Sequence, residues 1–213
     1  MNLLSSTSVF GFYTLISRVL GYLRDILIAI FLGTTIYADA FFVAFRLPNT
    51  FRRLFAEGTF NAAFIPSYAK ANLKNKKEGK IFADEVFNLL LYILIFIIII
   101  VEIFTPVVVY LIAPGFFADS EKLSLAVEFT RITFPFLLFV SLSSMLAGIL
   151  NTNNKFAAAA AAPIALNIVL IFSLLLAFNL ELNIAKSLSV GVTLSGIIQF
   201  LILIFFTKRF YFP

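Results

Sequence analysis

The chain has 213 residues, of which 62% are hydrophobic and only 13% charged, with a net charge of +5 and a mean hydropathy of +1.04. A soluble domain carries about 25% charged residues, so there is too little polar surface here to cover a water-exposed globule. The absence of Cys and His excludes thiol nucleophiles, His-based acid–base catalysis and Cys or His metal sites, and no cofactor is expected.

Apolar runs of about 18 residues or more read as membrane spans. Six can be drawn, over residues 8–32, 36–68, 86–112, 127–150, 156–178 and 188–206. The first segment lacks a basic leader region and holds Arg18, Arg24 and Asp25, so no cleaved signal peptide is expected. The second is expected to break near Pro48, because proline removes a helix donor and clashes with the preceding turn. Residues 70–80, KANLKNKKEGK, read as the only strongly charged loop. The alanine run at 157–162 reads as a small-residue face for close helix packing. The expected fold class is all-α: a polytopic membrane protein, one six-transmembrane-helix bundle over residues 1–213.

The loops predict an orientation, since Lys and Arg collect on the cytoplasmic side. With six spans, one side holds the 70–80 cluster, Lys155, Lys208 and Arg209. The other holds Asp119, Glu121 and Glu181 against Lys122 and Lys186. Both termini are therefore expected in the cytoplasm.

The first two spans carry the chemistry. An Arg or Asp at the centre of a spanning helix costs roughly 2.5–3.5 kcal/mol, so Arg18, Arg24, Asp25, Asp39, Arg46, Arg52, Arg53 and Glu57 must pair, face water or sit at an interface. At about 100° per residue, Gly11, Thr14, Ser17, Arg18, Gly21, Arg24 and Asp25 share one face of the first span. Phe12, Leu15, Val19, Leu20, Leu23 and Ile26 occupy the rest. In the second, Asp39, Arg46, Asn49, Arg53 and Glu57 recur at helical spacing, while Arg52 points elsewhere. The arginines outnumber the acids. A guanidinium fork suits phosphate oxygens, whereas a cation pathway would show rings of acids. The reading at this point is a cavity for an anion. Ion pairing that merely fixes helix register is the plainer alternative for any one residue. No phosphate-binding Gly-rich loop or nucleophile motif occurs. A nucleic-acid partner is not expected, because the basic residues are intramembrane or in one short surface segment.

At these same residues the chain resembles the MurJ (MviN) family of bacterial lipid II flippases, in the MOP exporter superfamily. The resemblance lies in Ser17-Arg18-Val19-Leu20-Gly21-Tyr22-Leu23-Arg24-Asp25, Asp39-Ala40-Phe41-Phe42-Val43-Ala44-Phe45-Arg46-Leu47-Pro48-Asn49 and Arg52-Arg53-Leu54-Phe55-Ala56-Glu57-Gly58. It continues through Ala113-Pro114-Gly115-Phe116, Ile132-Thr133-Phe134-Pro135, Gly148-Ile149-Leu150-Asn151-Thr152, Ala162-Pro163 and Leu166-Asn167-Ile168. The resemblance implies movement of lipid II, the undecaprenyl-pyrophosphate-linked peptidoglycan precursor, across the bacterial inner membrane by alternating access between two six-helix lobes. It implies that Arg18, Arg24, Asp25, Asp39, Arg52 and Arg53 line or gate a central cationic cavity, with Ser17, Arg46, Asn49 and Glu57 matching the pattern there. It further implies a second six-helix lobe as partner, contributed by a longer chain or a separate one. The protein is then a transporter and not an enzyme. The rival readings are a lobe of another exporter of lipid-linked saccharide, and an inactive lobe that serves only as a membrane interaction protein.

Overall fold

The computed structural model describes residues 3–56 and 59–213. Its elements are helical throughout: α1 (Leu3–Leu32), α2 (Ile36–Ala56), α3 (Thr59–Lys74), α4 (Lys76–Ile103), α5 (Thr105–Ile112), a short 3₁₀ turn (Pro114–Ala118), α6 (Ser120–Thr133), α7 (Phe136–Thr152), α8 (Phe156–Asn179) and α9 (Ile184–Thr207). By length and composition, four stretches are apolar enough to cross a membrane: Lys76–Ile103, Ser120–Thr152, Phe156–Asn179 and Ile184–Thr207. The all-α membrane-protein class is therefore correct. Large apolar side chains such as Tyr92, Phe96, Leu111, Phe172 and Phe205 stand exposed around the bundle. That apolar exterior suits lipid and would be a liability in water.

Three boundaries differ from the sequence reading. Residues 70–80 are not a loop. Helix α3 runs to Lys74 and α4 starts at Lys76, with Asn75 alone between them as a cap that accepts from the Lys77 N–H at 3.0 Å. Lysine is a good helix former, and a single Asn cap suffices to restart the helix. The tight corner needs Gly79: a Cβ there would lie 2.9 Å from the Asn72 Cα.

The second difference is at Pro48. Helix α2 continues through it to Ala56, and the next helix starts at Thr59. Proline leaves the carbonyl four residues back, that of Ala44, without its helical donor. The Thr133 hydroxyl of α6 donates to that carbonyl at 3.1 Å, in a fully buried setting. A neighbouring helix thus restores the bond that the proline removes.

The third difference is in the third span, which divides into α4 and α5 around Phe104. Pro106 would free the Glu102 carbonyl, and the Thr105 hydroxyl donates to it at 3.0 Å. The 120–152 stretch likewise changes helix at Phe134 and Pro135, beside an Ile132 carbonyl that accepts from the Thr193 hydroxyl of α9.

Helix α7 is the axis of the bundle, with Phe136, Leu137, Val140 and the whole of residues 141–146 buried. Helix α9 packs against α7 and α8 through glycines. A Cβ at Gly191 would come within 2.5 Å of the Ser173 Oγ, and one at Gly196 within 2.7 Å of the Phe136 ring. Close backbone approach of this kind is how helices gain packing energy where the hydrophobic effect is weak. Helix α1 leans on α8 and only lightly on α9. Two apolar clusters form the core. One is centred on Phe41, Phe129, Phe136, Leu170 and Val192, the other on Phe64, Leu94, Met145, Ile149 and Leu203.

Candidate functional site

A cavity of about 500 Å³ opens among α1, α2, α3, α7, α8 and α9. Its charged walls are Arg18 and Arg52. Its uncharged polar walls are Thr14, Ser17, Asn61, Ser143, Ser144, Asn151 and Gln199. No acidic side chain lines it among the described residues. Alanines 159, 160 and 162 with Pro163 form the α8 side, and their small size is what leaves the space. Pro163 also leaves the Ala159 carbonyl without its helical donor on this wall.

The polar groups are held in place by short bonds. The Arg52 Nε donates to Asn49 Oδ1 at 3.1 Å, one turn back on α2. The Asn61 Nδ2 donates to the Ser144 Oγ at 3.0 Å, tying α3 to α7. The Ser143 Oγ and Asn151 Oδ1 are buried without a protein hydrogen-bond partner. A buried polar atom left unmatched costs about 1–3 kcal/mol, so these two sites retain capacity for a guest. Two guanidinium groups and several hydroxyls and amides thus line one cavity, and guanidinium groups of this kind are donors suited to anionic oxygens.

Farther along α1 the chemistry changes. Arg24 donates to Asp25 Oδ1 from Nη2 at 2.7 Å and from Nε at 2.9 Å. Its Nη1 donates to the Asn167 Oδ1 of α8 at 2.8 Å. Asn167, itself buried, donates from Nδ2 to the Ser17 carbonyl at 2.9 Å. One asparagine thus clamps α1 at two points, and Arg24 is held as part of the clamp.

The remaining expected site residues separate. Asp39 accepts from the Lys122 Nζ of α6 at 2.6 Å, away from the cavity walls. Arg46 and Arg53 are exposed and do not line the cavity. Glu57 lies outside the described residues. So Ser17, Arg18 and Arg52 meet at the cavity with Asn49 bonded to Arg52, Arg24 and Asp25 meet at the α1–α8 clamp, and Asp39, Arg46 and Arg53 do neither.

Sequence reasoning gave no site role to Asn61, Ser143, Asn151, Asn167 and Gln199, although Asn151 and Asn167 stand in the motifs that carry the family resemblance. Each is an uncharged polar residue in an apolar helix. The available signal was that such groups are costly in a membrane unless satisfied or used; charge drew attention to the first two spans instead.

The comparisons with known proteins agree on one family. The family model described as "Lipid II flippase MurJ" matches residues 28–213. A probable lipid II flippase MurJ of Rickettsia prowazekii is 43% identical over 98% of this chain and 41% of its own length. One from Rhizobium tropici is 45% identical over 93% of this chain and 38% of its own. A solved lipid II flippase MurJ, in an inward closed conformation, superposes with a TM-score of 0.78 at 31% identity, over 90% of this chain and 40% of that one. The chain therefore spans about two-fifths of the length of these relatives. Sequence and fold coincide across nearly all of its length, and the chain belongs to the lipid II flippase MurJ family.

Proposed function

We propose that this chain is the N-terminal lobe of a lipid II flippase. It supplies one wall of a cationic cavity through which the undecaprenyl-pyrophosphate-linked precursor crosses the bacterial cytoplasmic membrane. The observation that carries this reading is the convergence of Arg18 and Arg52, from different helices, on one polar cavity. Pyrophosphate oxygens match the guanidinium forks. Ser143, Asn151 and Gln199 offer hydroxyl and amide groups to the saccharide and peptide parts. Family membership supports lipid II over other lipid-linked saccharides.

The proposed topology has six spans, formed by α1, α2 with α3, α4 with α5, α6 with α7, α8 and α9, with both termini cytoplasmic. Alternating access needs two bodies moving about a central site, and this chain provides one. The relatives are longer, so a second lobe is the proposed partner.

The test is complementation of flippase-depleted bacteria with the complete two-lobe protein. Arg18→Glu is expected to insert normally and fail to restore growth. Full growth would remove the cavity from the mechanism. The 213-residue chain alone, reconstituted in liposomes, is expected not to translocate fluorescent lipid II. Sustained translocation by a demonstrated monomer would refute the need for a second lobe. For topology, cysteines placed singly at Lys76 and Ser120 are treated with an impermeant label in intact cells; label at 120 and not at 76 is expected, and the reverse would invert the orientation.

A further inference from the structure

Helix α8 has a second hollow on its opposite face. Alanines 159, 160 and 162 line the arginine cavity. Alanines 157, 158, 161 and 165 line a separate groove of about 730 Å³ between α8 and α9. The alanine run is thus a thin wall with a space on each side.

The groove is apolar along its length, with Ile168, Ile202 and Phe205 exposed. Its rim at one end is cationic: Lys155, Lys208 and Arg209 all line it. Helix α8 begins beside Lys155 and α9 ends beside Lys208, so the antiparallel pair brings both to the same end of the bundle. All three are exposed, and none has an acidic partner among the described residues. The Lys208 Nζ lies 4.1 Å from the centre of the Phe205 ring, which draws the charge over the mouth of the groove. The start of α8 has no side-chain cap, so unpaired N–H groups lie at the same rim.

We propose that this groove holds an acidic glycerophospholipid of the inner leaflet, such as phosphatidylglycerol. Its phosphate sits among Lys155, Lys208 and Arg209, and an acyl chain lies along Ala161, Ile168 and Phe205. Charge complementarity selects an anionic headgroup, and the apolar walls select a lipid over a free anion. Separation from Arg18 and Arg52 by the body of α8 distinguishes it from the proposed lipid II path. Filling the hollow steadies the α8 wall on the side away from the arginine cavity.

The experiment uses the purified 213-residue chain in phosphatidylcholine vesicles, with trace phosphatidylglycerol or phosphatidylcholine carrying a photoactivatable acyl chain. Peptides containing Ala161, Ile168 or Phe205 should be labelled preferentially by phosphatidylglycerol. Lys155→Gln, Lys208→Gln and Arg209→Gln should each lower that labelling about fivefold, the factor one cation near an anionic lipid is worth. Ile168→Trp, which narrows the groove and leaves the charges alone, should lower labelling by both lipids at unchanged helix content by circular dichroism. Equal labelling by the two lipids, or preference retained in the triple Gln variant, would overturn the proposal. So would displacement of the phosphatidylglycerol label by an equimolar polyprenyl pyrophosphate, which would assign the groove to the transported lipid.

Discussion

Arg18 and Arg24 share a helix, a face and a residue type, and they occupy opposite situations. Arg24 is neutralised by Asp25 and fastened to Asn167, with its side chain only 16% exposed. Arg18 lines a polar cavity that Arg52 also lines, and no carboxylate lines it among the described residues. The Asn167 amide that Arg24 meets is buried, and stranding it would cost stability, so Arg24 is bound to its surroundings before any substrate arrives. Arg18 has no acidic partner among the described residues. Helical periodicity reports only that both residues turn away from lipid. What each does there is set by the neighbours that other helices bring.

The largest effect that could break this contrast is on transport. In the complete protein, Arg18→Glu and Arg52→Glu should each abolish complementation at normal membrane abundance. Arg18→Lys should retain partial activity, because an ammonium keeps the charge and loses the fork. Wild-type growth from either Glu variant would erase the distinction. Arg24→Glu should also abolish transport, for a different reason: it sets a second carboxylate beside Asp25 and breaks the clamp.

Stability sharpens the same contrast. Arg24→Leu and Asn167→Leu should each cost about 1–3 kcal/mol, the range for stranding a buried polar partner, read as a loss of thermal stability in detergent. The double variant should fall short of the summed losses by about 0.5–3 kcal/mol, the signature of groups in contact. Strict additivity would mean that the clamp is not energetic. Arg18→Leu should cost much less than Arg24→Leu in the same assay.

A smaller effect is expected where α2 is supported. Thr133→Val removes the donor to the Ala44 carbonyl and should cost about 1 kcal/mol. Because α2 carries Arg52, transport should fall more than the stability loss alone explains. The smallest effect belongs to the Asp39–Lys122 pair at the start of α2. Asp39→Asn should change stability by about 0–1 kcal/mol and less at high salt.

Much of the fold is legible in the chain because lipid-facing helices need long apolar runs, and α8 and α9 come within a few residues of their expected bounds. The cavity was legible in part, through Ser17 and Arg18, because intramembrane charge is costly enough to demand an explanation; helical spacing on α2 favoured Arg46 and Arg53 and set Arg52 apart, whereas Arg52 is the one of the three that lines the cavity. Its amide and hydroxyl half, Thr14 and Ser17 apart, was not. Asn151 opens the polar run 151–155 and reads as part of a helix end, Gln199 stands alone in an apolar helix, and only packing brings both to the cavity that the arginines line. Pro48 shows a further limit. Proline's local cost predicts a break, and the bond that cancels it comes from Thr133, a residue remote in sequence.

That bond also bears on how the protein is made. A chain emerges from the ribosome N-terminal end first, so α2 exists before residue 133 has been synthesised. During that interval the Ala44 carbonyl lacks the donor that Pro48 cannot supply, in a helix already burdened with Arg46, Arg52 and Arg53. Translocon, water or interfacial headgroups must serve it until α6 arrives. Helix α2 is therefore expected to reach its final packing only after residue 133 has been made, despite its early synthesis.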